Sequence, residues 1–474
     1  MENIIGRKFE QNILKSCYDS PRSELVVMYG RRRVGKTFLI RQFFGDRFDF
    51  FLTGIYDGTK REQLATFNRR LCLHSGEEYP TPEDWAEAFE QLKQYLTSLG
   101  ERKILVFIDE IPWLDTQKSR FMKNFELFWN EWASMRGNIK LIVCGSATTW
   151  MLKNLIHAKG GLYNRSTRKI KLSPFSLCEC EHLLAQNGFA WNRYQIAEAY
   201  MIFGGIPYYL QILQKEYSLI QNVDILFFKE NAELKGEYDI LFKSLFKNST
   251  LYRDIVETLA ENTKGMTRKQ LVDSLKVTDG GSFSDMLDNL ENCDFVRAYS
   301  AMGKKERDVL YQLTDPFILF HLKFVKGYKG QDENRWSNMI DSPSRRAWSG
   351  YSFEQMCLHH IRQIKSKLGI SGVSSDIYSW SAKAREGVHG AQIDLLIDRR
   401  DQVINLCEMK FSQSPYELTE SYLNHMLERM EIFRTDTKTT KALYLTMVTT
   451  YGLKPNAYSG MIQSEVVLDD LFQI

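Results

Sequence analysis

Four short apolar runs mark the first third of the chain, at residues 25–29, 48–52, 104–108 and 141–144, and stretches of helical periodicity separate them. Runs of this length without polar alternation suit strands buried on both faces, so they predict a parallel sheet covered by helices. From residue 175 to 235 the pattern becomes mainly helical, with a break at Phe203-Gly204-Gly205-Ile206-Pro207, and predicts a small helical lid. Residues 236–326 read as three short helices, near 251–261, 267–275 and 282–292, followed by two strands about a turn at Gly303, the order of a winged helix. A stretch rich in Gly, Asn, Asp and Ser at 327–344 reads as a linker. Residues 345–474 combine one long helix, near 352–368, with several strands and predict a second α/β domain. The fold class expected is therefore α/β and multidomain, with a sheet domain over 1–174, a lid over 175–235 and a middle domain over 236–326.

Composition narrows this picture only slightly. A chain of 474 residues with 43% hydrophobic and 26% charged positions has the make-up of a soluble globular protein of several domains. Sixty-two basic against fifty-nine acidic residues leave +3, so any nucleic-acid site must be local. Of the eight cysteines only Cys178 and Cys180 lie close together, beside His182, with no second pair at zinc-site spacing; reduced, buried thiols in a cytoplasmic protein are expected instead. Neither an export signal nor a membrane span is expected.

The sharpest chemical signal is Gly30-Arg31-Arg32-Arg33-Val34-Gly35-Lys36-Thr37, which fits Gly-x-x-x-x-Gly-Lys-Ser/Thr and stands between an apolar strand and a helix beginning near Phe38. Background composition would produce such a match in a chain this long roughly 2 times in 100. Glycines let backbone N–H groups turn towards phosphates, Lys36 can reach the β- and γ-phosphates of ATP, and Thr37 can ligate Mg²⁺. Asp109 and Glu110 close the apolar run 104–108; Asp109 is the expected metal-side acid and Glu110 the residue that polarises an attacking water. Ser146, at the end of the run 141–144, would lie beside Asp109 and could sense the γ-phosphate, or could simply cap a helix. Arg165, in a basic loop, could supply positive charge to a transition state, in cis or in trans, or be solvated.

Five pieces in order, Gly6-Arg7 with Glu10, the loop 30–37, Asp109-Glu110, Gly145-Ser146 and Gly205-Ile206-Pro207, resemble the archaeal-type ATPases of the STAND branch of AAA-like P-loop proteins. The resemblance implies that Gly6 and Arg7 approach the adenine, that Pro207 belongs to a lid motif touching nucleotide, and that nucleotide binding closes the lid on the core. It is compatible with assembly into a homo-oligomer. Members usually carry Gly-Arg in the basic loop, whereas here Asn164 precedes Arg165.

In the middle domain the third helix carries Asp285, Asp288 and Glu291 and no base, which opposes duplex binding and favours an adaptor or protein-contact role. Only the turn at 303–307 offers positive charge for an auxiliary DNA contact. Further on, residues 392–398 and 403–410 read as a hairpin in which Asp398 pairs with Ile404, setting Asp394 opposite Glu408 with Cβ atoms ~5 Å apart and Lys410 on the same face. Two acids and a lysine so placed could hold Mg²⁺, or Mn²⁺, and activate a water; an ordinary salt-bridged hairpin is the plainer alternative. Asp394 followed by Glu-x-Lys, with Glu354 on the preceding helix, resembles the PD-(D/E)xK nuclease-like fold, and many archaeal-type ATPases end in such a domain. Two functions stay open: a cytoplasmic Mg²⁺-dependent ATPase whose nucleotide state controls a DNA-directed nuclease, or an ATP-driven switch whose nuclease-like domain is a binding module.

Overall fold

Buried apolar runs become strands where the chain can bury both faces, and the computed structural model shows this directly; it describes residues 4–156, 165–246, 248–299, 302, 309–382 and 390–473. The chain divides into two compact units, one comprising Met1–Ser173 with Lys243–Lys247, the other Pro174–Phe242 with Asn248–Ile474.

In the first unit, strands β1 (Glu24–Tyr29), β2 (Phe50–Thr53), β3 (Ile104–Asp109), β4 (Ile139–Gly145) and β5 (Arg168–Lys171) form one sheet in the order β2-β3-β4-β1-β5. All neighbours are parallel. β3 and β4 are buried along their whole length, as continuous apolar runs require. β2 starts two residues later than the apolar run suggests, because the Asp49 carboxylate accepts from the Leu105 backbone N–H at 2.7 Å and ends the regular ladder there. β5 escapes a reading based on apolar runs: its sequence is Arg-Lys-Ile-Lys, it lies at the sheet edge, and only Ile170 is buried.

The second unit opens with helices Leu177–Gln186, Arg193–Phe203, Pro207–Gln211 and Leu219–Phe227. Three of them start with reciprocal caps, Ser176 with Glu179, Asn192 with Gln195 and Ser218 with Gln221, which satisfy backbone donors that a helix end leaves open. Cys178 and Cys180 are buried on the first of these helices, and none of the eight cysteines is in a disulfide. The middle segment has helices Ser249–Glu261, Arg268–Leu275 and Gly281–Asn292, and strands β6 (Met266–Thr267), β7 (Val296–Tyr299) and β8 (Leu310–Leu313) in the antiparallel order β6-β8-β7. β6 is too short to register in the sequence pattern. The basic turn at 303–307 lies outside the described residues.

The expected linker at 327–344 is corrected. It contains the short helix Arg335–Asn338, whose Trp336 is only 1% exposed and packs edge-on against Phe320, Phe324 and Trp348. The Trp336 backbone N–H donates to Asp224 Oδ1 at 2.7 Å. A polar composition surrounds one large anchoring side chain, and that anchor fixes the segment.

The last part carries helices Pro343–His359 and Ile361–Lys367, strands β9 (Ser375–Ala382), β10 (Ala391–Arg399) and β11 (Val403–Lys410), helix Glu420–Thr437, and strands β12 (Ala442–Thr449) and β13 (Ser464–Val467). The sheet order is β13-β12-β11-β10-β9; β9, β10 and β11 pair antiparallel, and β11, β12 and β13 pair parallel. One helix was expected near 352–368, but there are two. The break falls at buried His360, whose Nδ1 lies 2.8 Å from Met356 O while Nε2 accepts from the Leu177 N–H at 3.0 Å. Among the described residues no helix is long and apolar enough to cross a membrane.

Candidate functional site

Strand β1 runs straight into the glycine-rich loop. Gly30 sits at φ +145°, where a Cβ would meet Leu172 O at 2.3 Å, so only glycine fits this close passage. Gly35 at φ +90° caps the helix Lys36–Phe44 that follows. Lys36 is buried at 6% exposure and its Nζ donates to the carbonyls of Gly30 (2.8 Å) and Arg31 (2.9 Å), which holds the ammonium over the loop. Thr37 Oγ1 donates to Asp109 Oδ2 at 2.8 Å, bringing the end of β3 to the start of the helix. Asp109 Oδ1 accepts from the Glu110 N–H at 2.9 Å and from Cys144 Sγ at 2.6 Å. Burial, Asp109 and Glu110 push the Cys144 thiol well above its usual range, so it stays a donor.

Glu110 stands in the left-handed region at φ +47° and accepts from both the N–H (3.0 Å) and the Oγ (2.9 Å) of Ser146. Ser146 therefore holds the acid expected to act on water. Around the loop, Arg31 turns inward with 1% exposure, so only its backbone is available to a phosphate, and Val34 is likewise buried. Arg32 is half-buried, as is Arg33 at φ +71°, while Phe38 is 41% exposed on the first turn of the helix. Gly6 (φ +58°) and Arg7 precede the first helix, Lys8–Asp19. The Arg7 guanidinium donates to Ser173 O at 2.7 Å, next to Leu172, whose N–H bonds Tyr29 O at 2.8 Å beside the loop. Arg165 is exposed, and Asn164 lies outside the described residues. Pro207 opens the helix Pro207–Gln211 in the second unit, after Gly205 at φ +64°, where a Cβ would meet Phe175 O at 2.2 Å. The hydroxyl of Thr37 and the carboxylate of Asp109 converge as hard oxygen donors, the set that Mg²⁺ prefers.

In the second unit, Asp398 pairs with Ile404 and Leu395 with Cys407, so Asp394 and Glu408 stand on adjacent strands at the next step of the ladder. Glu408 does not face open space. Its Oε1 takes the Lys410 ammonium at 2.8 Å and the Tyr422 hydroxyl, and its Oε2 takes the Arg429 guanidinium at 3.1 Å. Burial works to raise this carboxyl, yet the two cations hold it below its ordinary value. In this structure the Glu408 oxygens are engaged by Lys410, Tyr422 and Arg429, while Asp394 stands on the adjacent strand. Among the described residues no three His, Cys, Asp or Glu side chains are grouped to hold a metal. Asp394 instead accepts from Gln392 Nε2 at 2.6 Å, and burial is the main cause that raises it. Glu354 is half-buried on the helix Pro343–His359 and is pushed up to about 8 by burial and by the charges of Asp394 and Glu408. Glu354, Asp394 and Arg429 line one cavity of about 360 Å³.

Residues 5–213 match the family model described as an ATPase domain predominantly from Archaea. The chain carries an archaeal-type ATPase domain. A protein of Methanocaldococcus jannaschii described as uncharacterized is 26% identical over 329 residues, covering 68% of this chain and 69% of its own length. From the same organism, an uncharacterized ATP-binding protein is 42% identical over 40 residues, 8% of this chain and 68% of that protein. Among solved structures, the Walker-type ATPase of Pyrococcus abyssi is 20% identical, with a TM-score of 0.49, over 68% of this chain and 96% of its own. The ORC2 protein of Aeropyrum pernix gives 15% identity and a TM-score of 0.42 over 68% of this chain and 93% of its own.

The match to the archaeal-type ATPase domain includes the loop, Asp109, Glu110, Ser146 and Pro207, and ends before the middle segment. Sequence reasoning missed Cys144 as a partner of Asp109, and Tyr422, Arg429 and Arg297 around the C-terminal carboxylates. Cys144 stands two residues before Ser146 in an apolar strand and reads as core. The other three come from elements with no motif, and their sequence distance from Asp394 hides them.

Proposed function

We propose that the archaeal-type ATPase domain binds ATP with Mg²⁺ and hydrolyses it. The contact between Thr37 and Asp109 carries this reading, because it joins the helix after the phosphate loop to the acid at the end of β3. Thr37 and Asp109 would hold Mg²⁺, which would neutralise charge between the β- and γ-phosphates. The loop amides and Lys36 bind and orient the phosphates, and Glu110 takes a proton from the attacking water once it leaves Ser146. Arg165 adds positive charge to the phosphoryl group in cis or in trans.

We further propose that the nucleotide state governs the C-terminal module, and that this module is a PD-(D/E)xK nuclease-like domain using Glu354, Asp394, Glu408 and Lys410. Its support is the three-stranded antiparallel start, the crossover helix Glu420–Thr437 into parallel β12, and the cavity where Glu354 and Asp394 meet. The middle segment, three helices with the sheet β6-β8-β7, reads as a winged helix used for intramolecular contact, since Asp285, Asp288 and Glu291 are all exposed on its third helix. The ion pairs that occupy Glu408 favour a second reading, in which the module binds nucleic acid or protein without cutting.

Cleavage of single-stranded, duplex and branched DNA with Mg²⁺ or Mn²⁺, with and without ATP, separates the two. Cutting that is lost in Lys410→Ala and altered in Lys36→Ala supports ATP-governed nuclease chemistry. Intact ATP turnover with no cutting under any condition contradicts the nuclease and supports the switch.

A further inference from the structure

The cavity at Glu354 and Asp394 is not built by the C-terminal module alone. Thr263, Lys264, Tyr299 and Gln312 of the middle segment line it together with Glu354, Asp394 and Arg429. The two parts are tied around it by hydrogen bonds. Met302 N–H donates to Ser379 O of strand β9 at 3.0 Å, Gln312 Nε2 donates to the Tyr351 hydroxyl at 3.3 Å, and that hydroxyl donates to Thr263 O at 3.4 Å. A second cavity of about 380 Å³ adjoins the first across Tyr299 and Asp394 and is lined by Arg297 and Tyr378.

Arg297 is the unexplained group there. One of its terminal nitrogens donates to Gln312 Oε1 at 2.7 Å and its guanidinium lies 4.9 Å from the Tyr299 ring centroid, yet its Nε is buried with no hydrogen-bond partner. Arg297 is half-buried, and a shielded donor left open is costly until an acceptor completes it, a role an anion in the adjoining cavity could fill. Lys264 and Arg429, the latter paired with Glu408, line the first cavity, Arg297, Tyr378 and Asp376 line the second, and Tyr299 lines both. Cations alternating with rings suit a phosphate followed by a base. Cavities of 360 and 380 Å³ lie in the range of small-ligand sites, ~300–1,000 Å³, a size that suits a few nucleotide groups of one strand and not a base-paired duplex.

We propose that these adjoining cavities receive the end of a single nucleic-acid strand, with Arg297 of the middle segment contacting a phosphate and Tyr299 stacking on a base. The inference rests on the nuclease-like reading of the C-terminal module for its substrate class, and extends it by assigning strandedness and two residues outside that module. It also gives the middle segment a direct part in the site, which its acidic third helix would not supply.

The test is equilibrium anisotropy of the full chain in EDTA with fluorescein-labelled oligothymidylate, oligouridylate and a blunt duplex of equal length. The expected result is binding of one or both single strands ~10-fold or more tighter than the duplex. Arg297→Ala should weaken that binding ~10-fold and flatten its salt dependence, while ATP hydrolysis is unchanged. Binding of either the oligothymidylate or the oligouridylate arm in preference to duplex supports the inference. Tyr299→Ala, with thermal melting of both variants, covers the case in which Arg297→Ala does not fold. Duplex bound as tightly as single strand, no single-strand binding, or wild-type binding by both folded variants would overturn the inference. Its failure is distinct from that of the nuclease reading: a single strand bound but never cut in Mg²⁺ refutes only the nuclease, and a duplex that is cut and bound as well as single strand refutes only the strand-end site.

Discussion

At the scale of single residues, the first site is a chain of hydrogen bonds from Thr37 through Asp109 to Cys144, and from Glu110 to Ser146. A hydrogen bond to a charged group contributes about 1.5–3 kcal/mol, so the two bonds from Ser146 are enough to keep Glu110 turned away from water in most molecules. Ser146→Ala removes the hydroxyl bond and keeps the N–H bond, and is predicted to raise basal ATP turnover on the order of 10-fold; an unchanged or lower rate of phosphate release would show that the Ser146 hydroxyl does not restrain Glu110. In the second unit, Glu354 is held protonated by burial and by Asp394 and Glu408. Its value rises from 4.5 to about 8, so the folded chain binds more protons than the unfolded chain between those limits and loses stability as pH rises through them. Glu354→Gln should consequently melt higher than wild type at pH 8 and show little difference near pH 4.5; equal melting at both would contradict this environment. Lys36 and Thr37 could be singled out in the sequence because they close a loop of fixed glycine spacing, and Asp109 and Glu110 because they end an apolar run; the structure brings Thr37 to Asp109. Arg297 and Arg429 could not, since a cavity wall places no constraint on sequence distance.

At the scale of elements, apolar runs located β1, β3 and β4 because each is buried on both faces, and they failed for β5 because an edge strand keeps polar side chains. The helix break at His360 was invisible for a different reason: the residue is tolerated in a helix, and it is a tertiary hydrogen bond from the Leu177 N–H that fixes it there. Burial pushes His360 down to about 4 from 6.5, so the unfolded chain binds more protons between these values, and this contribution to stability is lost as pH falls through them. Buried His321, also pushed down to about 4 by burial, acts in the same direction. Melting of the second unit should fall between pH 6.5 and 4 and flatten in His360→Asn; an unaltered profile would remove His360 as the cause. The expected linker hides a packed Trp336 for a related reason, that one large side chain outweighs a polar neighbourhood. Trp336→Ala is predicted to cost ~3–5 kcal/mol by chemical denaturation, whereas a true linker position would cost little.

At the scale of the whole molecule, two sets of charged residues lie in two compact units. The first holds the groups on which the proposed ATP chemistry rests: a glycine-bounded loop, a buried lysine, a hydroxyl on a carboxylate, and a glutamate bonded to Ser146. The second has three carboxylates of unequal character, with Glu408 held charged by cations while Asp394 and Glu354 are raised by burial. Unequal carboxylates suit either acid–base work or recognition of a strand, and the α/β class of both units was legible while that choice was not. It depends on how Glu408 is shared among Lys410, Tyr422 and Arg429, which three-dimensional packing decides. The central claim concerns the first unit. Its most direct test is Mg²⁺-dependent phosphate release from ATP by Glu110→Gln beside wild type, with equilibrium ATP binding measured on both. The account predicts ATP bound as by wild type and turnover reduced ~100-fold or more; turnover at the wild-type rate would contradict it.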